Sequence, residues 1–211
     1  MRSYRSNSPL GAATARAEPD TPATINAPLL GSLFQMFEDG QDRRWVVLDL
    51  GAARPQVINV LSQYRCRLDI ASFGEGLETL SAESDWDESP DRVSSLLPPC
   101  SSEQTDIVFC WDYLNYVDRP ALTSLMASIA ARCRPGAFVH ALIVYSESLM
   151  NDHPGKYVPV GEGCLLNEAT AEPSLAAPRY TTEDMKVCLP DFSIERARLL
   201  NNGMQEFLFR R

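Results

Sequence analysis

The sequence predicts a three-layer α/β domain with a mostly parallel central sheet and an antiparallel hairpin at its C-terminal end. Three observations carry this expectation. The runs Trp45-Val46-Val47-Leu48 and Ile107-Val108-Phe109-Cys110-Trp111 are continuously apolar, as suits strands covered on both faces rather than half-exposed ones. Each run is followed by residues whose apolar positions recur at helical spacing. Near the end, Asn201-Asn202-Gly203 separates two strand-like segments, a hairpin signal.

In chain order, residues 1–27 are rich in Ser, Ala, Thr, Pro and Arg without apolar periodicity, and read as a flexible leader. A single domain over residues 28–211 is expected after it. Leu29, Leu30, Leu33, Phe34 and Phe37 mark one helix face, with Gly40 as its stop. The first strand spans residues 44–51, and Pro55 opens a helix carrying Val57, Ile58, Leu61 and Tyr64. Residues 66–71 form a second short strand; residues 82–104 are acidic and rich in Ser and Pro and show no strand. The strand from Thr105 leads to a helix opened by Pro120, with Leu122, Leu125, Met126, Ile129 and Cys133 on one face. Pro135-Gly136 predicts a turn into a strand over 137–145. Residues 146–179 read as a long loop or lid. Thr181 to Asp184 has the T-x-x-D pattern of a helix start, and strands over 193–199 and 205–209 complete the chain.

Composition narrows the function classes. With 45% hydrophobic and 22% charged residues among 211, the chain supports one sizeable core. Its 28 Asp and Glu exceed its 19 Lys and Arg, which argues against bulk nucleic-acid binding and attraction to an anionic membrane. No apolar run approaches the roughly 20 residues of a bilayer span. The six cysteines form no CxxC pair, so they read as reduced core thiols of a cytoplasmic protein with neither metal nor disulfide role. No G-x-S-x-G elbow, Walker loop or H-E-x-x-H motif occurs.

Four segments together resemble the class I S-adenosylmethionine-dependent methyltransferases over residues 44–211. Val47-Leu48-Asp49-Leu50-Gly51 resembles that family's first motif, with an acid two positions before the glycine. Residues 106–114 look like its fourth strand, Arg134-Pro135-Gly136-Ala137 like the turn into its fifth, and residues 180–192 like its late helix. The resemblance implies a Rossmann-like methyltransferase fold, S-adenosylmethionine as cofactor, and transfer of a methyl group to a small molecule or a protein acceptor. It also implies that Asp49, Gly51 and Ala53 lie against the cofactor's amino-acid part. An acid at the end of the second strand would hold the ribose, and here either Asp69 or Ser72 takes that place. Later glycines of the first motif are replaced by Ala53 and Pro55. With Ser72 they separate two readings, an active methyltransferase and a catalytically inactive member that serves as a partner or scaffold. A dinucleotide-dependent oxidoreductase would want G-x-G-x-x-G, of which only Gly51 is present.

Open α/β sheets bind ligands at the carboxyl edge of their strands. That edge offers Trp111 and Asp112 toward the cofactor, and Tyr113, Asn115 and Tyr116 toward a substrate, with packing as the competing role of the aromatic residues. Tyr145 and Tyr157 could cover the site. His153 and Tyr116 are the candidate proton acceptors, His153 for its intrinsic pKa, while His140 inside a strand reads as a bonded core residue.

Overall fold

The computed structural model describes residues 23–81, 92, 95–161, 163–168 and 173–211. The expected leader up to residue 22 and most of the acidic stretch after residue 81 lie outside the described residues. The first described strand, Ala23–Asn26, lies inside the expected leader.

In chain order the strands are β1 (Ala23–Asn26), β2 (Trp45–Asp49), β3 (Cys66–Ile70), β4 (Thr105–Trp111), β5 (Cys133–Val144), β6 (Leu149–Met150), β7 (Tyr157–Pro159), β8 (Cys164–Asn167), β9 (Leu175–Ala176), β10 (Ser193–Leu199) and β11 (Met204–Arg210). The helices are α1 (Pro28–Asp39), α2 (Pro55–Leu61), α3 (Phe73–Ser81), α4 (Arg119–Arg132) and α5 (Thr182–Cys188), with a 3-10 turn at Tyr113–Tyr116. No helix among the described residues is long and apolar enough to cross a membrane.

The main sheet has the order β10-β11-β5-β4-β2-β3. β3, β2, β4 and β5 run parallel, and β11 lies antiparallel between β5 and β10. Every residue of β2 and β4 is buried, which explains their unbroken apolar character: both faces are covered. From β2 the chain crosses to β3 on one side and then returns to β4 on the other. This reversal opens a crevice at the carboxyl ends of β2 and β4.

Local signals work as expected at several ends. Thr181 and Asp184 form a reciprocal capping box at α5, and Asp118 accepts the Ala121 N–H at the start of α4. Gly203 takes φ +78° in the final hairpin. The expected turn at Pro135-Gly136 is instead part of β5, which begins at Cys133 and absorbs the left-handed Gly136, φ +80°, as an irregularity in its pairing with β4. A bulge lets a strand continue through a residue that would otherwise end it.

The long loop expected over 146–179 also contains regular structure. β1, β8 and β7 form a small antiparallel sheet, and β6 pairs with β9. These strands have two to four residues, too short for periodicity to register.

The start of α1 is satisfied from far away. Ala27, at its N-cap, has no side-chain acceptor, so the first free N–H groups need another partner. The fully buried Glu206 of β11 supplies it: its carboxylate accepts from Leu29 N at 3.0 Å and Leu30 N at 2.8 Å. His140 Nε2 lies 2.9 Å from the same group, making His140 the bonded core residue its strand position suggested. Glu206→Leu strands buried donors on α1 and on the imidazole, and is expected to lower unfolding free energy by about 3 kcal/mol. Urea unfolding measures this, and a loss below about 1 kcal/mol would show that the carboxylate does not anchor α1.

Candidate functional site

A cavity of about 470 Å³ lies in the crevice at the carboxyl ends of β2 and β4. Its size falls within the range of small-ligand sites. The floor is the turn leaving β2, where Asp49, the last strand residue, is almost fully buried. Its Oδ1 accepts the Gly51 N–H at 2.7 Å and the Trp111 indole N–H at 2.6 Å. Burial raises the Asp49 carboxyl from 3.8 to about 6, against the opposing pull of the Gly51 and Trp111 hydrogen bonds. A Cβ on Gly51 would stand 2.9 Å from Asp49 Oδ1 and 3.2 Å from Trp111 Nε1. The position therefore has room only for hydrogen.

Trp111 closes β4 in the left-handed region, φ +46°, which is strained for a bulky side chain. Its indole is stacked between Phe109, centroids 5.2 Å apart, and Tyr157, at 6.1 Å. The neighbouring Asp112 is buried and faces the cover of the cavity. It accepts Gly155 N–H at 2.9 Å and the Tyr157 hydroxyl at 3.2 Å. Burial lifts its carboxyl to about 6, opposed by the Gly155 and Tyr157 bonds. Asp112 thus fastens residues 155–157 over the pocket.

Of the residues expected from sequence, Asp49, Gly51, Trp111, Tyr113, His153 and Tyr157 line this cavity. Asp112 is adjacent through its hold on the cover. Several others stand elsewhere. Ala53 is exposed and outside the lining; Ala52 is in it. Asp69 pairs with Arg67 at 3.0 Å along β3, and Ser72 has φ +48° in the turn after that strand; neither lines the cavity. Asn115 is used structurally, because its Nδ2 donates to Asp112 O and Leu142 O and its Oδ1 accepts Val144 N–H, tying the 3-10 turn to β5. The Tyr116 hydroxyl lies 2.8 Å from His153 O, holding the covering segment rather than facing the cavity. Tyr145 is exposed and away from the lining.

Ala52, Arg54, Val57, Gly74, Glu75, Lys156 and Glu168 also line the cavity, and none of them was expected there from sequence. Arg54, at the N-cap of α2, pairs with Glu168 beyond β8 and bridges the mouth. Glu75 sits in the first turn of α3. Its position in Phe73-Gly74-Glu75-Gly76, just after β3, was the available signal. Gly74 gives way to a neighbour, since a Cβ there would stand 2.9 Å from the Tyr113 ring.

The architecture is that of a class I methyltransferase-like domain, a mostly parallel α/β sheet ending in an antiparallel hairpin. Two solved structures make the likeness concrete. An S-adenosylmethionine-dependent methyltransferase from Mesorhizobium loti superposes with a TM-score of 0.51 at 11% identity, over 88% of this chain and 98% of that one. Another from Clostridium acetobutylicum gives a TM-score of 0.50 at 11% identity, over 85% and 89%. At such identity the likeness establishes the fold alone. No protein-family model matches the sequence, and no curated protein matches it.

The two raised carboxyls set a pH dependence. Between 3.8 and about 6 the folded chain holds protons at Asp49 and Asp112 that the unfolded chain has released. Their contribution to stability is therefore full below the ordinary carboxyl value and lost as pH rises through about 6. Asp112→Asn keeps an acceptor for Gly155 but cannot titrate. It is expected to show a smaller fall in unfolding free energy between about pH 4 and about pH 7 than the native protein. Urea titrations at both pH values check this, and equal falls would contradict it.

Proposed function

We propose that this protein is an S-adenosylmethionine-dependent methyltransferase acting on a small-molecule or protein acceptor, with its cofactor in the cavity between β2 and β4. The cavity's donor set supports the reading. A buried carboxylate at Asp49 suits a ligand ammonium, Arg54 suits a ligand carboxylate, and Glu75 suits ribose hydroxyls in the place expected of Asp69 or Ser72. The glycine turn at Gly51 lets backbone come close. The residues present therefore fit the cofactor, which supplies a reactive methyl carbon on a sulfonium when bound.

The chain's own residues would bind, align and exclude water. Tyr157 and residues 153–156 cover the cavity, and Asp112 holds that cover in place. His153 at the rim is the group best suited to take a proton from an acceptor near neutral pH. A cytoplasmic setting suits the free cysteines. The single observation that carries the proposal is the cavity at the β2–β4 crevice with Asp49 at its floor.

A second reading is favoured by one contact. The Trp111 indole already occupies Asp49 Oδ1, as in a domain that keeps the fold as a binding partner or scaffold without turnover. Titration calorimetry with S-adenosylhomocysteine separates the two. Micromolar binding that vanishes in Asp49→Ala is expected; no heat at millimolar ligand would overturn the methyltransferase reading and leave the scaffold.

A further inference from the structure

We propose that the cleft between α1 and α2 is a second ligand site, built for a small organic cation with an aromatic or aliphatic body. The inference goes beyond the methyltransferase reading and does not depend on it. The cleft has a volume of about 630 Å³ and shares no lining residue with the cavity at the β2–β4 crevice. Val57 of α2 faces the first cavity and Val60 of the same helix faces the second. Phe34, Val60 and Pro159 give the cleft apolar walls, while Glu38, Gln63 and Tyr64 supply polar atoms. Such a lining suits an amphipathic molecule whose orientation is fixed by a few polar contacts.

Three features select a cation. The first is Glu38, the carboxylate of the lining: no Lys or Arg among the described residues lines the cleft or pairs with it. The neighbouring charges are turned elsewhere, since Asp39 accepts from Gln35 and Arg65 donates to the Asp42 carbonyl. The second is the pair of helix ends. Glu38 stands in the last turn of α1, Gln63 and Tyr64 follow the end of α2, and neither helix has a basic residue in its last turn. The negative ends of both dipoles are therefore left for a ligand cation to neutralise. The third is an aromatic ring. Tyr64 is packed against Phe34 and Phe37, with centroids 5.9 and 4.9 Å away, and a ring held in this way offers its face to a cation. Burial, and then the Glu38 carboxylate, raise the Tyr64 phenol, which ties acid and ring to one end of the cleft. A metal ion is a poorer match. No group of three or more His, Cys, Asp or Glu among the described residues is placed to hold one, and hard cations ask for several oxygen ligands.

Two probes isolate the charge: tryptamine, an ammonium at neutral pH, and tryptophol, which carries a hydroxyl in its place. Titration calorimetry is expected to show tryptamine bound about 5-fold or more tightly, the factor of one exposed ion pair supported by the helix ends. In Glu38→Gln, a change of an exposed residue that keeps its size, the preference should fall below about 2-fold. Equal affinity of the native protein for both probes, or a preference untouched by Glu38→Gln, would overturn the cation site. So would the absence of tryptamine binding at millimolar concentration. The place of binding is read on the native protein, where the methyl resonances of Val60 should shift with tryptamine and those of Val57 should stay. A shift at Val57 alone would put the amine in the cavity of Asp49 and sink the proposal, while leaving the cofactor reading untouched.

Discussion

The buried carboxylate of Asp49 organises everything around the crevice. A carboxylate removed from water must find donors, and Asp49 finds one two residues ahead in Gly51 and another 62 residues away in Trp111. The first bond sets the turn leaving β2 and explains why Gly51 carries no side chain. The second pins the end of β4 to the end of β2 and holds Trp111 in a conformation that a bulky residue adopts only under constraint. Once the indole is fixed, Tyr157 has a ring to stack against, and the cover over the cavity acquires its inner face.

Asp112 repeats this chemistry one residue beyond the strand, with a different outcome. Asp49 draws two strand ends together, whereas Asp112 draws a distant loop down onto them through Gly155 and Tyr157. Both groups are costly to ionise in the interior, and both are retained at the place where the sheet reverses direction. Perturbed carboxyls clustered at a crevice are more common in functional sites than in purely structural ones, and here they also shape the walls of the cavity.

Much of this architecture was legible in the sequence, because it is written in long or chemically distinctive segments. β2 and β4 announce themselves by unbroken apolar runs, α5 by its capping pair, and the final hairpin by Asn201-Asn202-Gly203. Asp49, Gly51, Trp111, Tyr113 and Tyr157, all singled out in the sequence, line one and the same cavity. What escaped has a common cause: it depends on residues far apart in sequence. β1 and β8 are four-residue strands that make sense only as a pair, and Arg54 is tied to Glu168 across 114 positions. Asn115 looked like a substrate ligand by location but spends its amide on Leu142 and Val144, a use that local pattern does not reveal. Glu75 sits within reach of a sequence reading, yet a carboxylate in a helix's first turn looks the same whether it faces solvent or a cavity.

The capping of α1 by Glu206 has a consequence for how the molecule is assembled. The donors at Leu29 and Leu30 wait for an acceptor that lies 177 and 176 residues later, on the strand inserted between β5 and β10. During synthesis the first helix therefore emerges from the ribosome long before the group that fastens it. Loop closure over such a span carries a large entropic cost, and contacts of this kind slow the search for the native topology. Phe37 on the apolar face of this helix meets Trp45 and Tyr64 early, whereas the N–H groups of Leu29 and Leu30 go without their buried acceptor until β11 has been made.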